Sequence, residues 1–142
     1  MSKVSIRCIR SALIYLGFGI GLGVAFAFDR RLGGLLRPAH AEANLRGFVS
    51  LMIYGMAYHM VPRFMGRTLA AARLAGWQSI LAIGGVGITI GGWIGVAYMA
   101  PSARPLLLLG GGMQALAMLL FGGVVLATIY PELLGRRANT QG

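Results

Sequence analysis

The sequence predicts an all-α integral membrane protein, a four-helix antiparallel transmembrane bundle, and three observations predict it. The first is composition: of 142 residues, 57% belong to the hydrophobic set and 11% are charged, where soluble domains carry roughly 25% charge. The second is length. One crossing of the hydrocarbon core takes about 20 apolar residues, so the chain accommodates four crossings, short loops and no separate folded domain. Residues 1–142 therefore read as a single membrane domain. The third is the placement of charge. The 13 Lys+Arg face only 3 Asp+Glu, and the basic residues flank the apolar runs, as cationic loops do beside anionic lipid head groups. That placement points to the lipid bilayer as partner and away from nucleic acid, which a pI of about 11.4 would otherwise suggest.

The first apolar run covers 11–28, behind a basic leader of Lys3, Arg7 and Arg10. Ala25-Phe26-Ala27 has the composition of a secretory cleavage site, but the run exceeds a signal core and the helix is expected to stay. The second span is placed at 38–61, with Pro38 in its first turn and Pro62-Arg63 ending it. The third covers 74–99, stopped by Pro101, and the fourth covers 105–130, between Pro105 and Pro131. Lys3, Arg7, Arg10, Arg63, Arg67, Arg73, Arg136 and Arg137 then share the N-terminal side, eight residues, against Arg30, Arg31, Arg37 and Arg104, four. Cytoplasmic loops carry the excess of Lys and Arg. The expectation is a multi-pass protein of the inner (cytoplasmic) membrane with both termini cytoplasmic, His40 near the outer face and His59 near the inner one. Cys8, the only cysteine, has no partner for an internal disulfide and reads as an ordinary thiol near the membrane surface.

Glycine is abundant, at 23 residues, and falls in register: Gly17, Gly19, Gly21 and Gly23 in the first span, Gly87, Gly91 and Gly95 in the third. Spacings of four place small residues on one helix face, which permits close helix packing of the GxxxG kind. Packing is the first reading; on another face, missing side chains would leave room for a flat cofactor.

The second span carries most of the polar chemistry. At 100° per residue, His40, Asn44, Gly47, Leu51, Tyr54 and Tyr58 lie within about 40° of one line. Gly47 removes bulk where a porphyrin ligated by His40 would lie, and Asn44 and the tyrosines supply hydrogen-bonding groups. Glu42 and Arg46 point the other way, at the i, i+4 spacing that favours an ion pair with the acid first. At this depth the pair is expected to be buried against protein or a wet cavity. His40 and His59 are some 28 Å apart by helix rise, so one chain cannot offer both to one metal atom. A haem iron on His40 would be five-coordinate, or take Met113 as second ligand, or take a histidine from another chain.

Arg37-Pro38-Ala39-His40, the Gly47-Phe48 step and the stretch Tyr54-Gly55-Met56-Ala57-Tyr58-His59-Met60-Val61-Pro62-Arg63-Phe64 resemble the second transmembrane helix of subunit I of the haem-copper oxidase superfamily. The likeness is greatest to its cbb3-type oxidase and nitric oxide reductase branches and covers about 30 residues. In that family the histidine at the position of His40 is an axial ligand of low-spin haem b near the outer membrane face. Subunit I takes its copper ligands, active-site haem ligand and second low-spin ligand from later helices that this sequence does not contain. The resemblance is thus to the short four-helix relatives of subunit I, and it implies no complete oxygen or nitric oxide reduction site.

The function so implied is a membrane-embedded b-type haem protein, acting in respiratory electron transfer or gas binding. His40 would be the metal ligand, and Asn44, Gly47, Tyr54 and Met113 would line the cofactor. No CxxCH motif provides covalent attachment. The alternative is an accessory or assembly subunit without haem, packing on a larger respiratory or denitrification complex. A homodimer that shares one haem between two His40 side chains would meet the ligand count.

Overall fold

In a computed structural model of the chain, residues 1–98 and 100–131 are described, and these are helical almost throughout. Helix α1 is Lys3–Phe28. It starts eight residues before the expected 11–28 because Ser2 caps it, its hydroxyl accepting the Ser5 N–H at 3.1 Å. Cys8 consequently lies one turn inside the helix and is fully buried in the bundle.

The helical segment that contains 38–61 is longer than that interval. Helix α2 (Arg30–Glu42), a π-helical segment (Ala43–Ser50) and helix α3 (Leu51–Phe64) keep right-handed helical backbone across both junctions and form one rod over 30–64. Pro38 and Pro62 lie inside it and mark neither end. The start signal belongs to Asp29, whose carboxylate accepts the Arg31 N–H at 2.8 Å. Pro38 deprives the Gly34 carbonyl of its partner, a loss the rod tolerates because Gly34 is exposed. The stop belongs to Gly66 at φ +60°. Its N–H reaches the Arg63 carbonyl at 3.2 Å and the Arg67 N–H reaches that of Pro62 at 2.9 Å, the Schellman pattern that only a left-handed residue closes comfortably. Within the π segment the Ser50 hydroxyl also donates to the Leu45 carbonyl, five residues back, at 3.2 Å.

Helices α4 (Ala72–Ala97) and α5 (Arg104–Ile129) are joined by a short 3₁₀ turn, Pro101–Ala103, and Pro105 occupies the first turn of α5. Met99, the expected end of the third span, lies outside the described residues, as do Arg136 and Arg137. Helices α1, α4 and α5 are each 26 residues long and apolar enough to cross a membrane. At 1.5 Å per residue each runs about 39 Å, against a hydrocarbon core of about 30 Å.

Side-chain contacts give the directions. Gly19 meets Asn44 and Gly55 meets Ile9, so α1 and the rod are antiparallel. Gly85 meets Gln114 and Gly95 meets Ala103, so α4 and α5 are antiparallel. Arg7 bonds the Gly76 carbonyl at 2.7 Å and Tyr15 that of Ile83 at 2.8 Å, so α1 and α4 are parallel. The rod and α4 each touch all three other helices, whereas the backbones of α1 and α5 do not approach one another among the described residues.

Small residues let the backbones approach. A Cβ on Gly110 would lie 2.8 Å from both the Gly85 carbonyl and the Thr89 nitrogen, and one on Gly47 would lie 2.6 Å from the Tyr15 side chain. The glycines do not form single stripes, however. Gly87 meets the Tyr15 hydroxyl and Gly95 meets Ala103, while Gly17, Gly21 and Gly91 face open space. Helix α4 touches α1 on one side and α5 on another, so residues four apart near opposite ends meet different neighbours.

Candidate functional site

The polar chemistry gathers at the α2–π junction, on two sides of the rod. Toward α1 stands His40. Its Nδ1 is 2.9 Å from the Gly19 carbonyl, a pairing that places the proton on Nδ1 and leaves Nε2 as the free acceptor. Gly23 makes the approach possible, since a Cβ there would lie 3.2 Å from the ring, and Phe26 packs on the ring at 5.4 Å between centroids. The Asn44 amide nitrogen donates to the His40 carbonyl at 2.9 Å and lies 3.4 and 3.3 Å from Nδ1 and Nε2. A donor on the Nε2 lone-pair axis would be much farther from Nδ1. The amide thus stands off that axis and leaves it open. Beside the ring is a cavity of about 470 Å³ lined by Phe26, Gly33, Arg37 and His40.

Toward α4 and α5 stands Glu42, 8% exposed. Gln114 donates one amide nitrogen to Glu42 Oε1 at 2.7 Å and to Thr89 Oγ1 at 2.9 Å, and Thr89 passes its own proton to the Gly85 carbonyl at 2.9 Å. Arg46 donates to Glu42 Oε2 at 3.2 Å. The expected i, i+4 ion pair is present, but only its acid is buried. The Arg46 side chain is 53% exposed, at the rim of a cavity of about 370 Å³ that Pro38, Ala41, Leu45, Trp93 and Gly111 help to line.

The residues expected to line a cofactor are divided by the fold. Asn44 remains beside His40. Gly47 is covered by the Tyr15 side chain, so its missing Cβ serves helix contact there. Tyr54 packs on Phe121 at 4.5 Å. Met113 packs on Gly84 and Gly85 of α4, and its helix does not touch α1, against which His40 is held; one chain does not bring the two together. The π segment explains the split: its wider turns advance the face by fewer degrees per residue than the 100° of an α-helix. Past it, Gly55 meets α1 while Tyr54 and Tyr58 turn to α5 and α4, Tyr58 donating to Gln78 Oε1 at 3.1 Å.

Gln114 and Thr89 were missed by sequence reasoning. Gln114 had a signal, a lone amide in the apolar run 105–130. Thr89 had none, because a threonine satisfied by its own preceding turn is ordinary in a helix. Among the described residues no three His, Cys, Asp or Glu side chains converge. No known protein family, curated protein or solved structure matches the chain.

Proposed function

We propose that the chain is a multi-pass protein of the cytoplasmic membrane, the rod and its three partners spanning as a four-helix antiparallel bundle with both termini cytoplasmic, and that it holds a b-type haem on His40. The spans rest on three long apolar helices. Among the described residues, Lys3, Arg7, Arg10, Arg63, Arg67 and Arg73, six, stand at one end and Arg30, Arg31, Arg37 and Arg104, four, at the other.

The observation that carries the haem reading is the His40 ring, with Nδ1 tied to a backbone carbonyl and Nε2 left free beside a 470 Å³ cavity. Metal-bound histidines are oriented in this way, the second nitrogen fixing the tautomer and raising the basicity of the first. The remaining lining suits the group: Phe26, packed against Gly33, offers an apolar face, and Arg37 is a cation for a propionate. Asn44 and Gly19 position His40. Haem would supply one-electron transfer or gas binding at this end of the bundle. The resemblance of the second span to oxidase subunit I supports the same assignment.

The test is the optical spectrum of detergent-purified protein, oxidised and dithionite-reduced. A Soret band with haem near stoichiometric, lost in His40→Ala and retained in His59→Ala, is the expected result. A colourless protein after haem-supplemented expression, or equal haem in the wild type and His40→Ala, would overturn it.

A further inference from the structure

The cavity on the Glu42 side lies on the opposite face of the rod from His40 and has no part in the haem reading. Its volume of about 370 Å³ falls in the range of small-molecule sites, roughly 300–1,000 Å³. Its walls are apolar except at Glu42, Arg46 and Thr89. The rim is set by Leu45, 63% exposed, and by Leu107 and Gly111 in the first turns of α5, so access is lateral, from between the rod and α5.

Counting donors and acceptors defines the head group. Of about four lone-pair sites on a carboxylate, Glu42 uses two, one for Gln114 and one for Arg46. Of about five guanidinium N–H groups, Arg46 spends one on Glu42. An acceptor and a donor therefore stand side by side with unused capacity. Their charges cancel, which disfavours an anion beside Glu42 and a cation beside Arg46. A group that donates and accepts at one atom, a hydroxyl, satisfies both. Trp93 adds a half-buried indole, and the lateral opening past Leu45 leaves an apolar tail among lipid chains. We infer that this cavity binds the hydroxyl-bearing head group of an uncharged, membrane-soluble amphiphile. A lipid-soluble hydroquinone and a glycerolipid with free hydroxyls share this chemistry.

Trp93 is the reporter. The chain has two tryptophans, and Trp77, 62% exposed, is not part of the cavity lining. In a Trp77→Phe variant of the full chain in detergent, Trp93 fluorescence is titrated with a decyl-substituted hydroquinone kept reduced, and separately with a monoacylglycerol bearing a brominated chain. Saturable quenching by one of them is expected, and which one saturates identifies the source. Gly111→Phe should raise the half-saturation at least tenfold; its Cβ meets nothing within 4 Å, so it fills the groove without a clash at the helix. Gly112→Phe, equally open but outside the lining, should leave it unchanged. The methylated ether of the better ligand, which cannot donate, should bind at least tenfold more weakly to the unaltered groove, an arm that holds even if Gly111→Phe fails to fold. Linear quenching by both probes, equal to that of Trp77 in Trp93→Phe, would overturn the inference, as would equal binding of the methylated ether.

Discussion

His40 and Glu42 stand two residues apart on one helix and are held by opposite means. At 100° per residue they face almost opposite sides of the rod. His40 leans on α1 and is fixed by a backbone carbonyl, that of Gly19, so its anchor is independent of any side chain on the partner helix. Glu42 leans on α4 and α5 and is fixed by side chains, Gln114 and through it Thr89, with Arg46 on its own helix. A ring anchored by backbone keeps one nitrogen spare for another partner. A carboxylate buried among side chains is secured only while each of them is present, because desolvation makes every missing bond costly. The histidine is thus held by the backbone of α1, and the glutamate by the side chains of α4, α5 and its own helix.

The largest expected effect falls on the glutamate face. Gln114→Leu removes the donor to Glu42 Oε1 and leaves a buried carboxylate oxygen unpaired, at a cost of about 3 kcal/mol. Chemical unfolding in mixed micelles, followed by circular dichroism, measures it. The Glu42→Leu, Gln114→Leu double variant should be less destabilised than Gln114→Leu alone, since the stranded charge is gone. A double variant as unstable as the sum of the two single ones would show that the network contributes packing and no electrostatic coupling.

On the histidine face the sensitive position is the partner glycine. A Cβ on Gly19 would lie 2.5 Å from the Asn44 amide, so Gly19→Val should displace Asn44 and cost about 2 kcal/mol, within the range of core overpacking. The same variant should alter the His40 environment, read from its imidazole signals in a ¹³C-labelled sample. Gly19→Val with wild-type stability and an unchanged His40 spectrum would break the comparison.

Arg46→Gln should cost under about 1 kcal/mol, because a half-exposed pair gains little over solvation. A loss as large as that of Gln114→Leu would mean that the arginine is as enclosed as its acid. The smallest effects belong to Gly17→Ala and Gly21→Ala. Nothing lies within 4 Å of a Cβ at either place, and each should change stability by less than about 0.5 kcal/mol.

Hydrophobic runs announce helices whatever their neighbours do, so α1, α4 and α5 were legible, with ends within two residues of those expected except at the start of α1, which lies eight residues earlier. The Glu42–Arg46 contact was legible too, since both partners belong to one helix and their spacing alone brings them together. Boundaries set by single residues were misread. Pro38 and Pro62 look like ends, but Asp29 and Gly66 hold the caps, and Pro38 is tolerated inside the rod because the Gly34 carbonyl that it orphans is exposed. The cofactor face extrapolated past Gly47 failed because it assumed a constant turn per residue, and the π segment changes that turn.

By itself the sequence determined quantities that depend on composition and on neighbours within one helix: the three long apolar helices, the asymmetry of basic charge, and the placement of His40 and Glu42 on opposite faces of one rod. Only the tertiary structure decided which carbonyl holds His40, that Gln114 and Thr89 enclose Glu42, and that Met113 lies away from His40. Those contacts join residues 21 to 72 positions apart, and such pairings follow from which helix faces meet. In this bundle that depends on which neighbour each close-packed glycine meets and on how the π segment turns the rod, and the meeting of two faces is not fixed by either helix alone.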